Sequence, residues 1–199
     1  MHAPLFDLFL PCAGGVEALL ADEAMAILGP GTSGTLERGG IALRGDARAV
    51  MALNLESRLA QRVLVRVAHG RYRGEDDLYA LARQVPWQAW ISSRDTFKVD
   101  VTAQRSPLRS LNFAALRIKD ALCDVMREEA GERPDVDTRH PLLRVMLHLT
   151  EDHATLYADT SGEPLFKRGW REDKGEAPLK ETLAAAMLAA AGWKGRPDQ

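Results

Sequence analysis

Between residues 98 and 119 the chain carries Lys98, Arg105, Arg109, Arg117 and Lys119 against one acid, Asp100. The sign then reverses, with Asp120, Asp124, Glu128, Glu129, Glu132, Asp135 and Asp137 set against Arg127 and Arg133. Within the basic stretch, Gln104, Arg105, Ser106 and Arg109 lie where an alternating apolar run gives way to a helical period. A strand-to-helix loop of that composition aims side-chain donors and a helix N-terminus at one space, which suits phosphate oxygens. Arg109, Asn112 and Lys119 follow at spacings of three and seven, so they share one flank of the helix. A second basic group, Lys167, Arg168 and Arg171, surrounds Gly169-Trp170, with Gly162 and Pro164 setting the path of the chain. Arginines beside an aromatic in a loop suit a single nucleic-acid strand. Solvated helix charges explain the first group as well, and an interdomain linker anchored by Trp170 explains the second. Phe113, off the apolar stripe, either stacks on a base or packs on a neighbouring module.

Other chemistry is poorly served. The histidines at 2, 69, 140, 148 and 153 show neither H-x3-H nor H-E-x-x-H spacing, so no metal site is expected. His148 falls on the outward register of its strand and His153 in a turn, as surface polar residues do. There is no G-x-S-x-G elbow and no paired-carboxylate motif in a recognisable frame. Gly29-Pro-Gly-Thr-Ser-Gly34 spells G-x-G-x-x-G, but a helix precedes it and a strand follows, the reverse of a dinucleotide site. It reads as a helix stop and a turn. No catalytic residue is expected in this chain.

The elements that would hold these residues follow from periodicity. An apolar run at 5–12, a helix at 16–28, strands at 35–37 and 41–44, a helix at 47–60 and a β-rich run at 63–67 give β-α-β-β-α-β. That is the ferredoxin-like order. A second module opens near Gly70 with a helix that Asp76-Asp77 can cap, closed by Trp87 and Trp90 as core aromatics. Strict alternation from Phe97 to Gln104 makes a strand with one buried face, and Leu111, Ala115, Ile118, Leu122 and Val125 mark a helix over 109–130. Strands at 143–149 and 154–159 read as a hairpin. The class is α/β (α+β), and the expected domains are 1–69, 70–165 and a C-terminal linker with a lone helix at 166–199.

Composition agrees with a folded domain pair: 199 residues, 46% hydrophobic and 27% charged, with formal net charge -2. Nothing in that balance marks a globally basic binder, so any nucleic-acid surface must be local. Cys12 and Cys123 have no metal spacing and read as unpaired thiols in a reducing compartment. The opening apolar run carries Asp7 and Pro11 and no basic flank, so it is no signal peptide, and no stretch is long enough to span a membrane. A cytoplasmic protein is expected.

Beyond these patterns, Asn54 to Arg58, Arg117 to Ala121, Arg133 to Asp137, Asp159-x-Ser-Gly162 with Leu165 and Arg168-Gly-Trp-Arg171, Ala177 to Ala186 and Gly192-Trp193 form an ordered set. The set resembles the N-terminal half of bacterial THUMP-domain RNA methyltransferases, the 23S ribosomal RNA guanine-N2-methyltransferase type. The resemblance implies a ferredoxin-like domain and a THUMP domain that bind ribosomal RNA, ahead of a Rossmann-like domain that transfers a methyl group from S-adenosylmethionine. By resemblance Arg109, Arg117 and Lys119 would face RNA, Arg168 and Arg171 would lie in the linker, and the helix beginning at Pro178 would open the methyltransferase domain. The family's glycine-rich cofactor loop is expected within about a dozen residues of Trp193 and is not in the sequence. The implied reading is an RNA-positioning fragment, inactive alone, with ribosomal RNA and its own catalytic domain as partners and no cofactor of its own. A transfer-RNA methyltransferase, a thiouridine synthase, or a module whose acidic 120–137 segment docks a ribosomal protein are the rival readings.

Overall fold

A computed structural model describes residues 4–169, 176 and 178–193. The chain divides into two compact units, Met1–Leu64 with Glu163–Gln199, and Val65–Gly162.

In the first unit β1 (Phe6–Pro11), α1 (Glu17–Leu28), β2 (Gly34–Glu37), β3 (Gly40–Gly45) and α2 (Ala47–Glu56) keep the expected ferredoxin-like order and lead into β4 (Leu64–Arg71). β3 pairs antiparallel with both β1 and β2, so Leu8, Leu10, Ile41 and Leu43 bury together. Asp46 caps α2, its Oδ1 accepting from the Ala49 amide at 2.9 Å. α2 stops at Glu56 and not at residue 60, because residues 57–59 turn toward α1. Glu23, the acid that interrupts the apolar stripe of α1, receives the Ser57 hydroxyl at 2.7 Å and the amides of Arg58 and Leu59 at 3.1 Å. A carboxylate on a buried stripe is tolerated because it satisfies this turn. The last helix, α5 (Glu181–Ala190), starts three residues after Pro178 and touches α1. Leu183, Met187 and Leu188 remain exposed on it, as does Leu179 just before it.

The second unit holds a sheet in the order β4-β8-β7-β5-β6, from β5 (Thr96–Ala103), β6 (Asp135–Val136), β7 (Leu143–Leu149) and β8 (His153–Asp159). β5 and β7 run parallel, and β7 and β8 form the antiparallel hairpin. Helices α3 (Glu75–Arg83) and α4 (Leu111–Ala130) cover one face. Phe97, Val145, Leu147 and Leu156 meet Leu78, Ile118, Leu122 and Met126 in one buried cluster. Trp87, in a single 3-10 turn at Trp87–Ala89, is fully buried and its indole N–H donates to the Ala82 carbonyl at 2.8 Å.

Three local readings are corrected. α3 is capped from Gly74, with Asp77 at the third helical position accepting from the Arg73 and Gly74 amides at 2.7 and 3.2 Å. The buried stripe of α4 runs through Ala114, Ile118, Ala121, Leu122 and Val125, which leaves Leu111 39% exposed. β6 was not expected, since two residues carry no period of their own and owe their strand form to the free edge of β5. Gly131 ends α4 in the left-handed conformation, φ 76°, as a C-terminal glycine should. Both cysteines are free and buried, and burial with Glu17 nearby raises the Cys12 thiol to about 11.

Candidate nucleic-acid interface

One end of the second unit collects the chain turns that carry its basic residues. Gln104 N–H donates to the Leu149 carbonyl at 2.8 Å, and Tyr72 N–H donates to the Asp152 carbonyl at 3.0 Å. The exits of β4, β5 and β7 therefore lie together, beside the start of α4. Tyr72, 3% exposed, donates its hydroxyl to the Thr150 carbonyl at 2.7 Å and meets Ser106 Oγ at 2.7 Å. Ser106 Oγ also accepts from the Leu108 amide at 3.2 Å. The β5–α4 loop is thus pinned at its middle.

Arg105, one residue before that pin, has φ 60°, the one left-handed non-glycine among the described residues. Such a conformation costs a branched or long side chain about 1 kcal/mol and persists where the surroundings impose it. Arg105, Arg109 and Asn112 are exposed. Ser110 caps α4, its Oγ accepting from the Phe113 amide at 3.2 Å. Other first-turn amides of a helix have no intrahelical acceptor and point outward with the positive end of the dipole. Arg105, Arg109 and Asn112 thus share one exposed end with a helix start and with Phe113, which is 50% exposed. This arrangement can hold phosphate oxygens and touch a ring.

The remaining basic residues are placed differently. Arg117 turns to α3, with its guanidinium 2.7 Å from Asp76 Oδ1 and 4.5 Å above the Tyr79 ring. Lys119 pairs with Asp120 at 2.7 Å. It shares the flank of Asn112, but seven residues of helix separate them by about 10 Å. Lys98 is bound to Asp100 at 2.7 Å, and Arg144 holds the same carboxylate at 2.6 Å. Lys167 is exposed and pairs with Glu163 at 2.8 Å. Arg168 directs its guanidinium to the carbonyls of Leu55, Asn54 and Ser57 at 2.8, 3.0 and 2.9 Å, closing the C-terminal end of α2. Arg171 and Trp170 lie outside the described residues.

The acidic run is also largely engaged within the unit. Asp124 accepts from Tyr79 at 2.8 Å and from Arg127 at 3.1 Å, Glu128 grips Arg83 at 2.6 and 2.9 Å, and Asp137 takes the amides of Arg139 and His140. Arg71 was not singled out from sequence, yet it is exposed at the end of β4 and close enough to Asp152 to lower its pKa, after the His153 hydrogen bond. Its place at the site follows from strand order alone.

No group of three His, Cys, Asp or Glu among the described residues could hold a metal ion. No described helix is long and apolar enough to cross a membrane. The Gly14-Gly15 turn between β1 and α1 has its Gly15 amide taken by Glu17 Oε2 at 2.7 Å, and Glu17 Oε1 accepts from the Gly39 amide at 3.0 Å.

Fold and sequence together define the class. Residues 7–64 match the RlmL ferredoxin-like domain, 72–159 the THUMP domain, and 168–197 the RMKL-like methyltransferase domain. This is a ferredoxin-like domain followed by a THUMP domain, with sequence of the methyltransferase type after it.

In particular, the chain is similar to the N-terminal part of the ribosomal RNA large subunit methyltransferases K/L. It is 42% identical over 193 residues to the one from Syntrophotalea carbinolica, covering 97% of this chain and 27% of that protein. With the one from Pseudomonas savastanoi pv. phaseolicola it shares 43% over 190 residues, 94% of this chain and 25% of the relative. The chain therefore spans about a quarter of the length of these relatives. Among solved structures, a predicted N6-adenine-specific DNA methylase from Listeria monocytogenes superposes with TM-score 0.84 at 29% identity, covering 96% of this chain and 49% of that one. SMU.472, a putative methyltransferase complexed with SAH, gives TM-score 0.82 at 25% identity, covering 97% and 50%. TrmN from Thermus thermophilus, at 22% identity and TM-score 0.73 over 95% and 55%, shares the fold.

Proposed function

We propose that this chain is the RNA-docking part of a ribosomal RNA guanine-N2-methyltransferase, and that it acts in the cytoplasm. The ferredoxin-like and THUMP domains position structured ribosomal RNA, and a methyltransferase domain continuing from α5 uses S-adenosylmethionine to methylate a guanine swung out of its stack. The observation that carries the reading is the exposed cluster of Arg105 and Arg109 at the capped start of α4, on the unit that matches the THUMP domain. It supplies charge and directed donors, whereas Lys98, Arg117, Lys119 and Lys167 are each paired with an acid and Arg168 is held by main-chain carbonyls. The exposed apolar positions of α5 fit a helix that a following domain covers.

A ribosomal RNA substrate is favoured over transfer RNA by the names of the relatives at 42 and 43% identity, since the likeness to TrmN reaches the fold alone. The test is binding of this chain to 23S ribosomal RNA fragments and to bulk transfer RNA. Tighter binding to a ribosomal fragment, weakened in the double variant Arg105→Ala with Arg109→Ala, is expected. Preference for transfer RNA would transfer the assignment to the rival enzymes.

A further inference from the structure

The sheet face turned away from α3 and α4 bears a different chemistry from the basic loop. Register places Lys98, Arg144 and Asp159 in one cross-strand row, and Thr102, His148 and Thr155 in another. β4 lies beside β8 and continues the second row. Thr102 Oγ1 is 2.9 Å from His148 Nδ1, and His69 Nδ1 is 2.9 Å from Thr155 Oγ1. A polar row, Thr102–His148–Thr155–His69, thus crosses four strands. His153 adds a second ring, stacked on His69 with centroids 5.2 Å apart and 10° between planes. Asp152 Oδ1, 2.8 Å from His153 Nδ1, sets the orientation of that ring. Thr102 and His69 are exposed, and His148 and His153 half-buried.

This row lies at the sheet end that holds the β5–α4 loop, since the Gln104 and Tyr72 amides bind the two sides of the β7–β8 turn. The two places differ in what they attract. Beside the ring pair stands the Asp152 carboxylate, whose pKa is lowered by the His153 hydrogen bond, a poor neighbour for a phosphate. Burial, with Arg66 and His153 nearby, holds His69 below the ordinary imidazole range, so near neutral pH the ring is uncharged. Flat rings with hydroxyl and imidazole groups alongside suit a base, whose face stacks and whose edge takes hydrogen bonds.

We propose that the stacked His69–His153 pair, flanked by His148 and Thr102, is a platform for one unpaired nucleobase of the RNA whose phosphates the Arg105–Arg109 loop holds. The inference rests on the RNA-binding reading, and the two separate in the test. The probe is a short RNA stem–loop carrying 2-aminopurine at an unpaired position, with affinity read by anisotropy and stacking by quenching of the base analogue. Wild-type chain binds and quenches. His69→Ala with His153→Ala weakens binding by about tenfold and abolishes quenching, with the salt dependence unchanged. His153→Phe, a ring without a proton to carry, retains the quench. Unchanged affinity and quenching in the double alanine variant overturn the platform and leave RNA binding standing. Binding that arises only below about pH 6, where imidazoles carry protons, overturns it in favour of phosphate contact. A wild-type chain that binds no RNA overturns both.

Discussion

Tyr72 Oη lies 2.7 Å from Ser106 Oγ, tying the end of β4 to the middle of the loop that presents Arg105 and Arg109. The phenol is buried, and its second bond, to the Thr150 carbonyl at 2.7 Å, reaches the β7–β8 turn. Replacing Tyr72 by Phe leaves the half-buried Thr150 carbonyl without this partner, a loss of about 1–2 kcal/mol by urea unfolding. RNA affinity should fall further than in Val85→Ala, a core change in the same unit, because only the first loosens the loop. Equal losses of affinity at matched stability would show that Tyr72 supports the fold and not the site.

Arg105 offers a test in which stability and binding separate. Its left-handed backbone is one that glycine adopts freely. Arg105→Gly relieves about 1 kcal/mol of strain and returns part of that as unfolded-chain entropy, so the melting temperature should hold or rise. RNA binding should weaken nonetheless. A melting temperature several degrees lower would mean that the arginine side chain stabilises the loop.

Arg168 reaches three carbonyls at the end of α2 from more than a hundred residues away. Charge-assisted bonds to otherwise unsatisfied helix carbonyls are worth about 1.5–3 kcal/mol together with the dipole. Arg168→Ala should lower unfolding stability by that order, and Arg168→Lys should recover only part, since one ammonium lacks the planar fork. The salt dependence of RNA binding should not change in either.

These residues show where sequence reading works and where it stops. Strand β5 was legible because Phe97, Val99 and Val101 alternate with polar neighbours, and β7 and β8 because they flank the polar turn Glu151-Asp152-His153. Helix α4 was legible from its stripe, although Leu111, placed in the core by spacing, is the first residue of the helix and is exposed. The loop with Gln104, Arg105, Ser106 and Arg109 was legible because a change of period from two to 3.6 marks the turn. Arg168 reads as a basic linker residue, since its partners are main-chain carbonyls, which no sequence pattern names. The histidine row was equally hidden. His69, His148 and His153 meet only through the pairing register of three strands, and each alone is an ordinary polar side chain.

Acid should unfold the second unit partly through Asp100. Burial raises its carboxyl, but hydrogen bonds from Lys98 and Arg144 outweigh that and hold it below the usual range. A depressed pKa contributes stability above the unfolded value, about 3.9, that is lost as pH falls through the folded value. Asp100→Asn should therefore destabilise the chain at pH 7, leaving Arg144, whose side chain is 17% exposed, without its closest charge. The gap between wild type and variant should close as pH drops below about 4 in unfolding titrations. A gap that is constant with pH would assign the loss to packing.

The most direct measurement is the slope of log affinity against log salt for a 23S ribosomal RNA fragment, in wild type and in Arg105→Ala with Arg109→Ala. Two phosphate contacts removed should reduce the slope by about 1.4–1.8, with the variant still folded. An unchanged slope, or wild-type binding that ignores salt, would contradict an RNA interface at the start of α4.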